Sequence, residues 1–63
     1  MIVVMNKNYT SEDIDQVVNY IENKNLKANI SKEKLDCVIG ILGDTVEANI
    51  KEIEAFECVS KVL

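Results

Sequence analysis

The sequence has 63 residues, enough for one small domain whose core sits near the lower size limit for independent folding. Seven Lys against eleven Asp plus Glu, with no Arg, leave a net charge of −4, which disfavours phosphate backbones and anionic membrane surfaces as partners. With no His, the chain lacks the side chain that shuttles protons near neutral pH and the commonest metal ligand, and a domain this short has no room for a deep, multi-element active site.

Met1 to Met5 is a short apolar, β-branched run that reads as a strand covered on both faces. It is too short for a signal peptide, and no run in the chain approaches bilayer length, so a cytoplasmic location is expected. Asn6-Lys7-Asn8 breaks the run with turn-prone residues. Thr10 with Asp13 three positions on has capping-box spacing, and Tyr9 with Ile14 has the spacing of a hydrophobic staple. Ile14, Val17, Val18 and Ile21 then form one apolar helical stripe, ending near Asn23 to Asn25. Leu26, Ala28 and Ile30 alternate with Lys27, Asn29 and Ser31, which predicts a strand with one dry and one wet face. A polar turn is expected over Ser31 to Lys34.

Leu35 to Leu42 reads as a second strand apolar on both faces, Leu35, Cys37, Ile39 and Ile41 against Val38, Gly40 and Leu42. Asp44 with Glu47 repeats the capping spacing, Val46, Ile50 and Ile53 give a second helical stripe, and Glu47 with Lys51 is a favourable i, i+4 pair. Phe56 closes that helix or its exit turn, and Cys58 to Leu63 reads as the last strand.

The element order β-α-β-β-α-β predicts an α+β, ferredoxin-like fold: a four-stranded antiparallel sheet with both helices on one face and the first and third strands central. Cys37 and Cys58, 21 positions apart, lack CxxC spacing and would be separated by the first strand, so two small buried fillers are expected rather than a disulfide or a metal set. The two central runs carry more apolar side chains than one sheet face can hide. Val3, Val38 and Leu42 cannot all lie under the helices if Ile2, Val4, Ile39 and Ile41 do, or the reverse, so an apolar face is left for another copy or another domain to cover.

Catalytic readings find no support. The carboxylates Glu12, Asp13, Asp15, Glu22, Glu47, Glu52 and Glu54 fall on solvent faces of the helices, and Ser11, Ser31 and Ser60 have no base beside them. Gly40-Ile-Leu-Gly43 has the GxxG spacing of an RNA-clamping loop, but its middle is apolar and lies in a strand. The aromatics Tyr9, Tyr20 and Phe56 lie outside the strands, so no stacking platform for RNA is available. The loop after the first strand has no CxxC for copper, and the absence of Arg removes an acylphosphatase-type phosphate site. Fold by itself does not select among these.

Met1-Ile-Val-Val-Met5, Thr10-Ser-Glu-Asp-Ile14, Asn25-Leu-Lys-Ala-Asn-Ile-Ser31, Val38-Ile-Gly-Ile-Leu-Gly-Asp44 and Val59-Ser-Lys-Val62 resemble the N-terminal regulatory domain of one group of 3-deoxy-D-arabino-heptulosonate 7-phosphate (DAHP) synthases, over nearly the whole chain. In that family an ACT-like domain precedes a (β/α)8 barrel that condenses phosphoenolpyruvate with erythrose 4-phosphate, using a divalent metal, at the head of the shikimate pathway. The resemblance implies that residues 1–63 are a single non-catalytic regulatory domain without the barrel, either excised or free-standing, with no cofactor of its own. It also implies that an aromatic amino acid, tyrosine or phenylalanine, acts as feedback inhibitor by binding between paired domains and gating the barrel. Relatives carry His-x-Ser at the effector site; the matching positions are Asn29 and Ser31, the first a departure from the pattern and the second in keeping with it. The alternative is a stand-alone dimerisation module that pairs through its sheet face and binds no small molecule.

Overall fold

The computed structural model describes residues 1–33, 36–43 and 50–63. Its elements in chain order are β1 (Ile2–Met5), α1 (Ser11–Asn23), β2 (Lys27–Glu33), β3 (Asp36–Leu42), α2 (Ile50–Glu54) and β4 (Val59–Val62). The four strands form one sheet in the order β2-β3-β1-β4, every neighbouring pair antiparallel, with β1 and β3 in the centre as the two doubly apolar runs require.

The local signals act where the residue types place them. The Thr10 N–H donates to the Asp13 carboxylate at 2.9 Å, and the Asp13 N–H donates to the Thr10 hydroxyl at 3.2 Å, a reciprocal box that satisfies donors left over at the start of α1. Ile14, Val17 and Ile21 on α1 and Ile53 on α2 are buried against Val3, Met5, Cys37, Ile39 and Ile41. Both helices therefore cover the same side of the sheet. At the end of α1 the chain reverses through Asn25 at φ 62°, a left-handed conformation that Asn tolerates better than most residues. Tyr20 on α1 meets Phe56 edge-on at 5.9 Å and its hydroxyl donates to Glu52 at 2.8 Å, bracing α1 against the segment that carries α2.

Several expectations need correction. The turn expected over Ser31 to Lys34 is strand as far as Glu33: Ser31 pairs with Val38, Lys32 with Cys37 and Glu33 with Asp36, so ladder pairing with β3 prevails over local turn preference. Val3 does not share a face with Val38 and Leu42. It pairs with Ile39 and is fully buried beneath the helices, while Ile2 and Val4 take the other side. Ile30 lies on the helix side by register yet is 43% exposed, on the edge strand β2. In the second helical stripe Ile53 is buried but Ile50 is exposed. The last strand starts at Val59 rather than Cys58, with a bulge where β1 passes from Val4 to Met5. Leu35, the capping pair Asp44 and Glu47, Val46, and hence the Glu47–Lys51 pair lie outside the described residues.

Candidate functional site

Register decides what the sheet presents on the side away from the helices. Cys37, Ile39 and Ile41 point toward the helices and are buried, so Val38, Gly40 and Leu42 point away. Ile2 opposite Gly40 and Val4 opposite Val38 join them from β1. Asn29 opposite Gly40 and Ser31 opposite Val38 join them from β2, and Lys61 opposite Val4 from β4. Leu63 extends this face beyond β4, exchanging backbone hydrogen bonds of 2.9 and 2.7 Å with Ile2.

The open face thus has two rows that cross all four strands, with the pair Lys27 and Leu42 beyond them. One runs Asn29, Gly40, Ile2, Leu63; the other runs Ser31, Val38, Val4, Lys61. Its centre is apolar, with Asn29, Ser31 and Lys61 at its margins and the apolar Leu63 at one corner, the composition of a surface suited to being covered. Leu42 is 55% exposed, Leu63 67% and Ile2 44%, against near-complete burial of the matching residues on the helix side. The two polar residues picked out by resemblance, Asn29 and Ser31, are both exposed, two positions apart on one strand, and lie on the margin of this apolar centre. The alternation of β2 places both on its wet face. The register that adds Ile2, Val4 and Gly40 beside them is not legible in a chain whose central strands are apolar on both sides.

A second feature is an open cleft of about 170 Å³ lined by Asn6, Asn8, Tyr9, Asp13, Glu57 and Cys58. The side chains of Asn6 and Asp13 in it are engaged in holding the fold. The Asn6 side-chain amide donates to the Glu57 carbonyl at 2.5 Å, the Asn6 N–H to the Cys58 carbonyl at 2.7 Å, and the Asp13 carboxylate accepts the Thr10 N–H. These contacts tie the exit of β1 to the start of β4, a role for Asn6 that its turn-prone neighbours conceal in the sequence.

Cys37 and Cys58 are free and buried, with β1 lying between β3 and β4. Burial pushes both thiols above the ordinary value of 9.0; the nearby Asp13 carboxylate adds to this at Cys58, and Lys32 partly offsets it at Cys37. The Cys58 thiol lies 3.9 Å from the Asp13 carbonyl, to which it donates. Thiols held protonated in this way are poor nucleophiles. Among the described residues no group of three His, Cys, Asp or Glu side chains is placed to hold a metal ion, and no helix is long and apolar enough to cross a membrane.

The family model for the DAHP synthase ferredoxin-like domain matches residues 1–63. Among solved structures, a phospho-2-dehydro-3-deoxyheptonate aldolase (DAHP synthase) from Thermotoga maritima superposes with a TM-score of 0.87 at 42% sequence identity. The match covers 95% of this chain and 18% of that one, so the chain spans about a fifth of that enzyme's length. No curated protein matches the chain.

Proposed function

The chain belongs to the DAHP synthase ferredoxin-like domain family, and from that premise we propose that it is a regulatory domain that binds an aromatic amino acid on its open sheet face and couples that binding to pairing and to access to a synthase barrel. In this reading residues 1–63 are one regulatory unit in the cytoplasm, without synthase activity of their own. The divalent metal and the condensation of phosphoenolpyruvate with erythrose 4-phosphate belong to the barrel, and no step on this chain runs through them.

One observation carries the reading. Asn29 and Ser31 stand side by side at the edge of an exposed apolar surface, on the face opposite both helices. A tyrosine or phenylalanine ring has apolar ground to lie on, and the Ser31 hydroxyl and Asn29 amide supply donors and acceptors for its polar ends. An aromatic side chain buries about 150–250 Å² when fully enclosed, and burying one is worth roughly 1.5–3 kcal/mol. Switching a domain from 1:99 to 99:1 in favour of a closed arrangement needs about 5.5 kcal/mol of differential affinity. One buried ring falls short of that figure, so in this reading the ligand is enclosed from both sides and the contacts of a second domain supply the rest.

The test is the mass of the chain in solution by light scattering, with and without millimolar tyrosine or phenylalanine. The expected result is a shift toward the mass of a pair with one of the two ligands. A constant dimer that ignores both would overturn the effector reading in favour of a plain dimerisation module, for which the exposed Ile2, Leu42 and Leu63 would be the contact surface.

A further inference from the structure

The chain has two glycines, and the structure gives a reason for only one of them. Gly43 has φ 122°, a conformation that side chains rarely adopt, and a Cβ there would sit 3.0 Å from the Leu26 Cδ2. Gly40 has no such constraint. It lies in the middle of β3 without a positive φ, and among the described residues a Cβ built on it would meet only Asn29, at 3.8 Å to its carbonyl oxygen and 4.0 Å to its Cβ, ordinary contact distances. A glycine inside a strand weakens it by leaving the backbone freer in the unfolded chain and by contributing no side chain to the face. Neither backbone geometry nor crowding asks for glycine at 40.

Its neighbours indicate what the missing side chain makes room for. Gly40 lies between Asn29 and Ile2 across the sheet and between Val38 and Leu42 along β3. Neighbouring strands are about 4.8 Å apart and residues two apart on one strand about 6.7 Å, so the backbones carrying these bordering side chains are centred roughly 10 Å apart across the sheet and 13 Å apart along β3, with a gap above Gly40 where a side chain would stand. Its floor is bare peptide whose hydrogen-bonding groups are taken up by pairing with β1 and β2 on either side. That is a patch of bare backbone with the Asn29 side chain at its rim and Ser31 next along the same edge.

We infer that Gly40 is the floor of the effector site, where the ring of an aromatic amino acid lies flat on the bare backbone, and that the missing Cβ sets which ligands the face accepts. This rests on the effector reading above and adds to it a residue that makes no polar contact. The absence of a side chain is the recognition feature: a Cβ at 40 would lift the ring off the sheet and separate its polar end from Asn29 and Ser31.

The experiment compares the affinity of the unmodified chain, Gly40→Ala and Gly40→Val for phenylalanine and tyrosine by amide NMR titration, with the dispersion of each spectrum reporting the fold. The expected result is a folded Gly40→Val chain with at least tenfold weaker binding, and a folded Gly40→Ala chain between it and the parent. If the unmodified chain binds and both variants bind within twofold of it, Gly40 is not the floor, while the effector reading stands. If the unmodified chain gives no shifts with either ligand, the effector reading fails and this inference fails with it.

Discussion

The two glycines also make opposite demands on the fold, and alanine at each separates them. At Gly43 the substitution forces a side chain into a positive-φ conformation; the Leu26 Cδ2 in its path is the end of a flexible side chain that can turn aside, so the backbone strain dominates. Strain of this kind costs about 1–3 kcal/mol. At Gly40 the conformation is ordinary strand and the new Cβ has room, so alanine is expected to stabilise by roughly 0.5–1 kcal/mol, mainly by restricting the unfolded chain. The two variants should thus differ by about 1.5–4 kcal/mol in a domain whose whole stability is of the order of 3–9 kcal/mol. Urea unfolding followed by circular dichroism reads this directly. With a slope near 1 kcal/mol per molar for a chain this small, the midpoints should separate by roughly 1.5–4 M, Gly43→Ala below the parent and Gly40→Ala at or above it. Equal shifts in the same direction would refute the reasoning, because Gly40 would then be needed by the fold and not by a ligand.

Other consequences can be measured on the same chain. Replacing Thr10 by Ala removes one half of the reciprocal cap on α1 and should cost about 1 kcal/mol in thermal or urea unfolding, with Ser at the same position restoring most of it. Both thiols are held above 9.0 by burial, so below pH 9.0 they are protonated in the folded and the unfolded chain alike and their contribution is fully present. As pH rises from 9.0 through the raised native values the unfolded thiols lose protons first, and stability should fall, a decline that Cys37→Ala and Cys58→Ala each reduce. At pH 8 a thiol reagent should label neither cysteine in the native chain and both in urea.

The fold was legible because local signals and global pattern agree. Thr10 and Asp13 fix where α1 begins, the stripe from Ile14 to Ile21 fixes which side it buries, and the two runs apolar on both faces identify the central strands. The errors arose where a tertiary partner decides. Ser31 and Lys32 are turn formers in isolation but are strand because β3 pairs with them, and Val3 faces the helices because it pairs with Ile39. A β1 apolar at every position carries no internal record of which residues point where, so the composition of the open face emerges only from register. Asn29 and Ser31 are singled out as candidates by the resemblance and by the wet face of β2. The sequence shows Gly40 in a GxxG spacing and on one face of a strand with Val38 and Leu42, but its place beside Asn29 is a fact of strand pairing.

The central claim is that Asn29, Ser31 and the apolar surface beside them form an effector site. A residue-resolved amide NMR titration of the chain with tyrosine and with phenylalanine, repeated on Ser31→Ala, tests it most directly. The account predicts shifts confined to Asn29, Ser31 and their cross-strand partners Gly40 and Val38, weakened in the variant, with the cleft lined by Asn6 and Glu57 unmoved. Shifts centred on that cleft, or none anywhere at millimolar ligand, would contradict it.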